Sequence, residues 1–192
     1  MRTKIIFEDN DIIVCHKLPG VPVQSKSVAV MDMESELKKY MKSKGEQPYI
    51  GVVHRLDQPV QGIMVFAKNK QAAASLSKQV SEHGDMAKIY DAIVFGHMKE
   101  QSAELNDYLI KDSKTNLSRV TDNSKEGKLA KLKYDVIESD DKTSTLKIQL
   151  FTGRHHQIRV QLANASCPIL GDQKYGTQAS MDFSRENNIK NE

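Results

Sequence analysis

The fold is decided by the stretch Gly51-Val52-Val53-His54-Arg55-Leu56-Asp57-Gln58-Pro59-Val60-Gln61-Gly62-Ile63-Met64-Val65-Phe66-Ala67. Its two ends are short apolar runs, which are typical of buried strands. The polar residues between them therefore form a loop next to the core. A carboxylate in such a loop is costly unless it is paired and hydrogen-bonded. Asp57 is thus either a structural anchor for the loop or a catalytic group.

The segments before this stretch predict a strand pair, a stiff loop and a helix. Lys4 to Phe7 and Ile12 to His16 are short apolar runs separated by the turn-forming residues 8–11. Residues 17–23 contain two prolines and a glycine, which exclude a helix and favour a rigid loop. Met33 to Lys44 has the composition of a charged surface helix, which Gly45 would end.

The segments after it predict two further helices and three strands. Gln71 to His83 has apolar residues at four-residue spacing, and Gly84 would end that helix. Alternating apolar residues predict half-buried strands at Ile89 to Phe95, Leu129 to Ile137 and Thr143 to Leu150. Helical periodicity returns from Arg154 to Ala165, with Thr152 placed to cap the helix. We therefore expect an α+β fold with flanking helices around a mixed, mostly antiparallel β-sheet core.

The composition favours one globular unit over two domains. The chain has 192 residues, of which 39% are apolar and 28% are charged, so it can bury a core without disulfides. Cys15 and Cys167 lie far apart in apolar surroundings, which is more typical of reduced core thiols than of a disulfide. No apolar stretch reaches the length of a membrane helix, and the first residues show no signal-peptide core. We expect a cytoplasmic protein.

The charge of the chain does not by itself identify a nucleic-acid binder. The formal net charge is +3, and RNA affinity depends on local clusters of basic residues rather than on totals. Two such clusters occur at Lys125, Lys128, Lys131, Lys133 and at Lys68, Lys70. From composition alone, each is either a nucleic-acid contact or an ordinary solvated face.

Four ordered segments resemble the RluA-type family of RNA pseudouridine synthases. The loop His54-Arg55-Leu56-Asp57 with Gly62 is similar to the signature loop of that family. The opening strand pair through Lys17, Pro19 and Gly20 is similar to its first motif, and Lys88-Ile89-Tyr90 to its Lys-x-Tyr strand. The third motif is matched by Thr152-Gly153-Arg154-His155-His156-Gln157-Ile158-Arg159-Val160, then Gly171-Asp172 and Tyr175-Gly176. Together they span Ile5 to Gly176.

The resemblance implies the pseudouridine synthase catalytic fold, a central RNA-binding cleft and cofactor-free isomerisation of uridine. It assigns the catalytic carboxylate to Asp57, its cationic partner to Arg159 and the residue that stacks on the target base to Tyr90. The carboxylate would either add to C1′ of the sugar or remove the C2′ proton, and both routes remain open. Without the resemblance, plain strand packing is the better interpretation of Tyr90, and the alternative for Arg159 is an ordinary arginine on the surface of a helix.

Four residues are predicted to serve RNA binding or loop order. Arg55 is a candidate for a phosphate contact or for filling the stack left by a flipped base, Arg154 for a phosphate contact near a helix N-terminus, and Lys17 for a weaker one. His54 is grouped with these RNA-facing residues, and a hydrogen bond that orders the loop suits it better than general base catalysis.

A metal site is not predicted. The adjacent residues His155 and His156 would point about 100° apart on a helix, and no third ligand stands at the required spacing. We therefore expect neither a metal nor another cofactor.

The chain departs from the family pattern in three places. Val60-Gln61-Gly62 stands where a small polar run such as Thr-Ser-Gly is usual, and Leu18 stands where proline is usual. Family members also continue beyond the Tyr-Gly segment with a Leu-rich strand and a His-Pro turn. We expect a catalytic domain over 1–176 whose C-terminal part is incomplete, followed by a polar, poorly ordered tail over 177–192.

The expected substrate is a stem-loop of ribosomal or transfer RNA, bound by the catalytic domain itself because the fold already begins at Ile5. A monomer with no membrane partner is the default that the resemblance implies. There are two alternatives to an active synthase. One is a catalytically silent RNA-binding relative that uses the same cleft. The other is a hydrolase of another nucleic-acid bond, for which the sequence offers no nucleophile–base pair.

Overall fold

The computed structural model describes residues 3–25, 27, 29–81 and 84–189. Its backbone groups into two compact units with the boundary after Met86, and each is described by itself. The expected single catalytic domain over 1–176, with its incomplete C-terminal part, stays a prediction.

The first unit is a four-stranded antiparallel sheet with two helices. Its strands are β1 (Lys4–Glu8), β2 (Ile12–Lys17), β3 (Gly51–Val52) and β4 (Gly62–Ala67), in the spatial order β1-β2-β4-β3. The predicted pairing of the first two strands is confirmed. The β2–β4 register places Lys17 opposite Gly62. The end of the opening strand pair and the end of the Asp57 loop are therefore neighbours in the sheet.

The two helices of this unit begin where polar residues cap them. Helix α1 (Met33–Ser43) starts after Asp32, whose carboxylate accepts the Ser35 N–H at 2.8 Å. Helix α2 (Lys70–Val80) starts after Asn69, whose side chain accepts the Ala72 N–H at 2.8 Å. Both predicted helices are confirmed. The expected end of the second at His83 lies outside the described residues.

The core of the first unit comes from strict alternation on the central strands. Ile13 and Cys15 of β2 pack against Met64 and Phe66 of β4, and all four are fully buried. The apolar face of α1 closes this core. The loop between β3 and β4 therefore starts and ends on a scaffold of two layers, the sheet and helix α1, which share one core.

The second unit is a five-stranded antiparallel sheet. Its strands are β5 (Lys88–Phe95), β6 (Ser102–Asp112), β7 (Leu117–Thr121), β8 (Lys128–Ser139) and β9 (Thr143–Leu150), in the order β5-β9-β8-β6-β7. The three strands predicted from alternation are confirmed at β5, β8 and β9. The other two were missed. For β6 the reason is that its inward face carries the small Ala103 before Leu105 and the polar Asp107 between Leu105 and Leu109.

Helix α3 (Gln157–Asn164) begins three residues later than predicted. Its N-cap is His156, which has a left-handed backbone (φ 55°) and makes no capping hydrogen bond with its side chain. Thr152 was expected to cap the helix, and that prediction is wrong. Its hydroxyl instead accepts the Lys131 N–H at 2.8 Å and donates to the side-chain oxygen of Gln157 at 2.8 Å. Thr152 therefore ties the helix to strand β8 through a side chain.

Helix α4 (Gln178–Glu186) occupies most of the segment that was expected to be a poorly ordered tail. Thr177 caps it by accepting the Ser180 N–H at 3.2 Å. The buried side chains of this helix are Ser180 and Ser184. A face of serines gives no hydrophobic period, which is why the sequence did not indicate a helix. Residues 190–192 lie outside the described part.

The α+β class with mostly antiparallel sheets is confirmed. Both cysteines are buried in their own unit's core, as predicted, and both are free thiols. Among the described residues, no helix is both long enough and apolar enough to cross a membrane.

Gly176 offers a test of the close packing after α3. A Cβ atom at this position would lie 2.3 Å from the carbonyl oxygen of Asp172, so Gly176→Ala must displace backbone. We expect a loss of about 1 to 3 kcal/mol in the free energy of unfolding, measured by urea denaturation. Gly153→Ala is the matched control, because a Cβ there meets nothing within 4 Å, and it should stay within about 0.5 kcal/mol. Equal stabilities of the two variants would contradict this packing.

Candidate active site

The loop that carries Asp57 is held by the opening loop of the same unit. The Gly20 N–H donates to the Gln58 carbonyl at 2.9 Å, and the Gln58 side-chain amide donates back to the Gly20 carbonyl at 3.0 Å. Within the loop, the Val60 N–H donates to the Asp57 carbonyl at 3.1 Å and closes a turn. These hydrogen bonds fix the backbone from Asp57 to Val60, on the C-terminal side of the carboxylate.

Lys17 is the residue that joins these two loops. Its side chain is fully buried, and its ammonium donates to the carbonyls of Leu18 at 3.2 Å, Gln58 at 2.9 Å and Val60 at 2.5 Å. Burial lowers the pKa of Lys17 to about 8, against a smaller opposing attraction from Asp57. This placement differs from the predicted phosphate contact, because a fully buried ammonium offers RNA no surface. Lys17 organises the loop instead.

The departure at Val60-Gln61 leaves the turn intact. Val60 serves the loop through its backbone, since its N–H closes the turn and its carbonyl accepts from Lys17. A side-chain hydroxyl at this position is not needed for either contact. The change of residue type therefore leaves the local architecture in place.

The remaining residues of the signature loop take distinct positions. His54 is partly buried, and its Nε2 accepts the Val65 N–H from strand β4 at 3.2 Å. This bond orders the loop, as the sequence indicated, and it requires the Nε2 lone pair. Arg55 is exposed, whereas Asp57 is partly buried. The loop thus presents a cation to solvent and shelters a carboxylate.

In the second unit, Arg159 forms a two-pronged ion pair with Asp172. Its Nε donates to Oδ2 at 2.7 Å and its Nη2 to Oδ1 at 2.6 Å, and the carboxylate is 2% exposed. Burial alone raises the pKa of Asp172. Hydrogen bonds from Arg159 and from the N–H groups of Lys174 and Tyr175 outweigh burial, so the pKa lies below its usual value. Arg159 is therefore a fixed cation, not a surface arginine.

The two other predicted residues of this unit also have defined surroundings. Tyr90 lies on β5 opposite Ile148 of β9 and packs, half-buried, against the core of the sheet. Arg154 donates from Nε to the Leu129 carbonyl at 2.7 Å, and its N–H donates to the Gln157 side chain at 3.0 Å. Arg154 therefore lies at the end of α3 that the sequence indicated, ahead of its first turn.

Two residues near Arg159 were not predicted to take part in the site. Asp172 is its ion-pair partner, and the Tyr175 ring centroid lies 5.0 Å from the central carbon of the guanidinium. Both belong to the Gly171-Asp172 and Tyr175-Gly176 segments that the resemblance had marked. Sequence spacing gives no sign of their contact with Arg159, because the chain between them leaves the helix and turns.

The structure groups the predicted residues by unit. Lys17, His54 and Asp57 share one loop system in the first, while Arg154 and Arg159 flank the start of α3 in the second. The expected contact of Arg159 with Asp57, the stacking role of Tyr90 and the central cleft concern both units and stay predictions. In the part of the chain that the structure describes, no group of three or more His, Cys, Asp or Glu side chains is placed to hold a metal ion.

Comparison with known proteins gives consistent results. The family model described as RNA pseudouridylate synthase matches residues 11–164. The chain is 36% identical over 188 residues to the dual-specificity RNA pseudouridine synthase RluA of Vibrio parahaemolyticus, covering 95% of this chain and 72% of that protein. It is 32% identical over 183 residues to the ribosomal large subunit pseudouridine synthase C of Rickettsia conorii, covering 94% and 59%. The chain thus spans between about three fifths and three quarters of these relatives.

The fold agrees with a solved structure as well. Human RNA pseudouridylate synthase domain containing 4 superposes with a TM-score of 0.79 at 22% identity, over 97% of this chain and 77% of the human chain. At that identity the likeness concerns the fold. The match to the family model and the identity to the bacterial relatives decide the family. This chain belongs to the family of RNA pseudouridylate synthases, which are isomerases that act on RNA.

Proposed function

We propose that this chain is an active pseudouridine synthase that isomerises uridine in ribosomal or transfer RNA, with Asp57 as its catalytic carboxylate. The observation that carries the proposal is the family match over residues 11–164, which includes Asp57 in a loop that the protein holds rigidly. The proposed substrate agrees with the relative from Rickettsia conorii, whose name refers to the ribosomal large subunit.

The reaction exchanges one bond of the base for another. The bond between N1 of uracil and C1′ breaks, the base turns, and a bond forms between C5 and C1′. C5 then releases its proton and N1 takes one up, so the base keeps its composition. The Asp57 carboxylate either adds to C1′ and later leaves, or removes the C2′ proton and later returns it. Both routes regenerate the carboxylate, so neither consumes a cofactor.

The Lys17 contacts support this role for Asp57. A catalytic group acts fast only when it is held close to its productive geometry. The buried ammonium donates to the carbonyls of Gln58 and Val60, on the C-terminal side of Asp57. The Gly20 N–H also donates to the Gln58 carbonyl. Lys17 is therefore a positioning residue for the loop.

Arg159 and Tyr90 supply the other functions that the reaction needs. A guanidinium beside Asp57 would favour the ionised carboxylate in a water-poor site. An aromatic ring suits a base that has been flipped from the RNA stack. The ion pair with Asp172 supports the first assignment, because it fixes the position of the guanidinium, which is charged throughout the working pH range.

RNA affinity is assigned to two arginines of the catalytic fold, one exposed and one partly buried. Arg55 is exposed within the signature loop, and Arg154 stands before the first turn of α3. His54 supports this surface by ordering the loop. We further propose that the protein acts as a monomer in the cytoplasm.

The first prediction concerns the catalytic carboxylate. RNA labelled with tritium at C5 of uridine releases the label when C5 bonds to C1′. Asp57→Ala should lower the release rate by about 100-fold to 10,000-fold, because the reacting group is lost. Asp85→Ala, at an exposed carboxylate, should match the wild type. Absence of release from wild type on unmodified RNA, with binding retained, would support a silent RNA-binding relative.

The second prediction concerns Arg55. Because its side chain is exposed, Arg55→Ala should weaken RNA binding several-fold and leave the melting temperature unchanged. The slope of log Kd against the logarithm of the salt concentration should become shallower by about one unit, as expected when one phosphate contact is lost. Lys39→Ala removes an equal charge from the exposed face of α1 and serves as the control. Unchanged binding by the Arg55 variant would count against a phosphate contact.

The third prediction concerns Lys17 and pH. Its pKa is about 8 in the folded protein and about 10.4 in an unfolded chain. Between these values the unfolded state binds more protons, so the wild type gains stability as pH rises. Relative to Lys17→Met, the gain should reach about 1 to 3 kcal/mol between pH 7.5 and pH 10.

Urea denaturation at both pH values measures this difference. Lys39→Met, at an exposed lysine, should show no such gain. A stability difference between wild type and Lys17→Met that stays constant with pH would show that Lys17 titrates normally.

A further inference from the structure

The turn after α3 holds Arg159 at two points. The Asp172 carboxylate accepts hydrogen bonds from Nε and Nη2, along one edge of the guanidinium. The same carboxylate accepts the Lys174 N–H at 2.9 Å and the Tyr175 N–H at 3.2 Å, which folds the turn. That turn brings the Tyr175 ring to 5.0 Å from the central carbon of the guanidinium. One carboxylate therefore places both the cation and the ring that contacts it.

Tyr175 is itself anchored at its far end. Its hydroxyl accepts the Ser118 N–H of strand β7 at 2.8 Å and lies 2.7 Å from Nδ1 of His156. The hydroxyl is thus in hydrogen-bond contact with two residues, Ser118 and His156. The His156 ring in turn stacks on His155 at a centroid distance of 3.7 Å. The ring of Tyr175 is thus fixed by its backbone and by its hydroxyl.

Packing and hydrogen bonds hold Tyr175 together. Its ring is partly buried against a small cluster of Leu109, Ala130 and Val160. The two hydroxyl contacts add constraints to this packing. They act on the ring that contacts Arg159.

We propose that Tyr175 is a positioning residue for uridine isomerisation, which acts by holding the Arg159 guanidinium against displacement from its pair with Asp172. The proposal rests on the proposed function, in which Arg159 stabilises the charge of the catalytic carboxylate. A planar guanidinium held at one edge and contacted by an aromatic ring has little freedom to move. Small displacements of a catalytic charge lower the rate without lowering substrate affinity to the same degree.

The test compares the reaction rates of two Tyr175 variants that lose different parts of the side chain. Tyr175→Leu removes the ring and the hydroxyl, whereas Tyr175→Phe keeps the ring. We expect the single-turnover rate of tritium release to fall about 10-fold in Tyr175→Leu and to stay within about 3-fold of wild type in Tyr175→Phe. The Kd for RNA should change less than about 2-fold in both. Tyr108→Leu, in strand β6 of the same unit, is the control and should keep the wild-type rate.

A second readout follows Arg159 without relying on activity. The Nε–H resonance of Arg159, identified by its loss in Arg159→Lys, should report both the bond to Asp172 and the nearby ring. In Tyr175→Leu, we expect the chemical shift of this resonance to change and its proton to exchange faster with solvent. In Tyr175→Phe, the chemical shift should stay close to that of the wild type. An unchanged resonance in Tyr175→Leu would show that the ring does not hold Arg159 and would overturn the proposal.

The outcomes separate this proposal from the proposed function. If the wild type releases no tritium, the function fails, while the resonance still decides whether Tyr175 holds Arg159. If the wild type and Tyr175→Leu are equally active, the positioning role fails and the function stands. If Tyr175→Leu does not fold, Tyr175→Phe decides through both readouts, because an Arg159 resonance that loses its position while the rate stays unchanged would overturn the proposal.

Discussion

The second unit depends on one buried ion pair. The carboxylate of Asp172 is 2% exposed, and a buried charge without partners would cost several kcal/mol. Arg159 and two backbone N–H groups satisfy it, so the turn after α3 and the position of the guanidinium form together. The turn that delivers Tyr175, and Gly176 behind it, follow from the same requirement. The geometry around Arg159 is therefore a consequence of how Asp172 is buried.

The first unit also contains a buried charge, the ammonium of Lys17. Lys17 is buried and is held by three carbonyl oxygens rather than by a direct carboxylate contact. The ammonium adds a charged donor to these carbonyls, of which those of Gln58 and Leu18 also accept the N–H groups of Gly20 and Val21. Asp57 stands on the same loop as Gln58 and exerts a smaller attraction on Lys17. In each unit, a buried charge that needs hydrogen-bond partners fixes the position of a candidate site residue. Lys17 fixes the loop of Asp57, and Asp172 fixes Arg159.

Sequence patterns found most of the elements and failed where the buried face is polar or small. Strand β6 was missed because Ala103 and Asp107 interrupt its inward face, and α4 because serines make up its buried side. The start of α3 was placed too early because Thr152 has the residue type of a cap, yet it bonds to β8 and to Gln157. Residue type indicated the correct neighbourhood but not the partner.

The sequence by itself determined the class of fold, the family and the loop that holds Asp57, because these depend on apolar periodicity and on short motifs along the chain. Only the tertiary structure decided that Lys17 is buried beneath that loop and that Arg159 is paired with Asp172 and contacted by Tyr175. Those contacts join residues from separate strands, helices and turns. Their distances depend on how sheets and helices pack, and spacing along the chain does not contain that information.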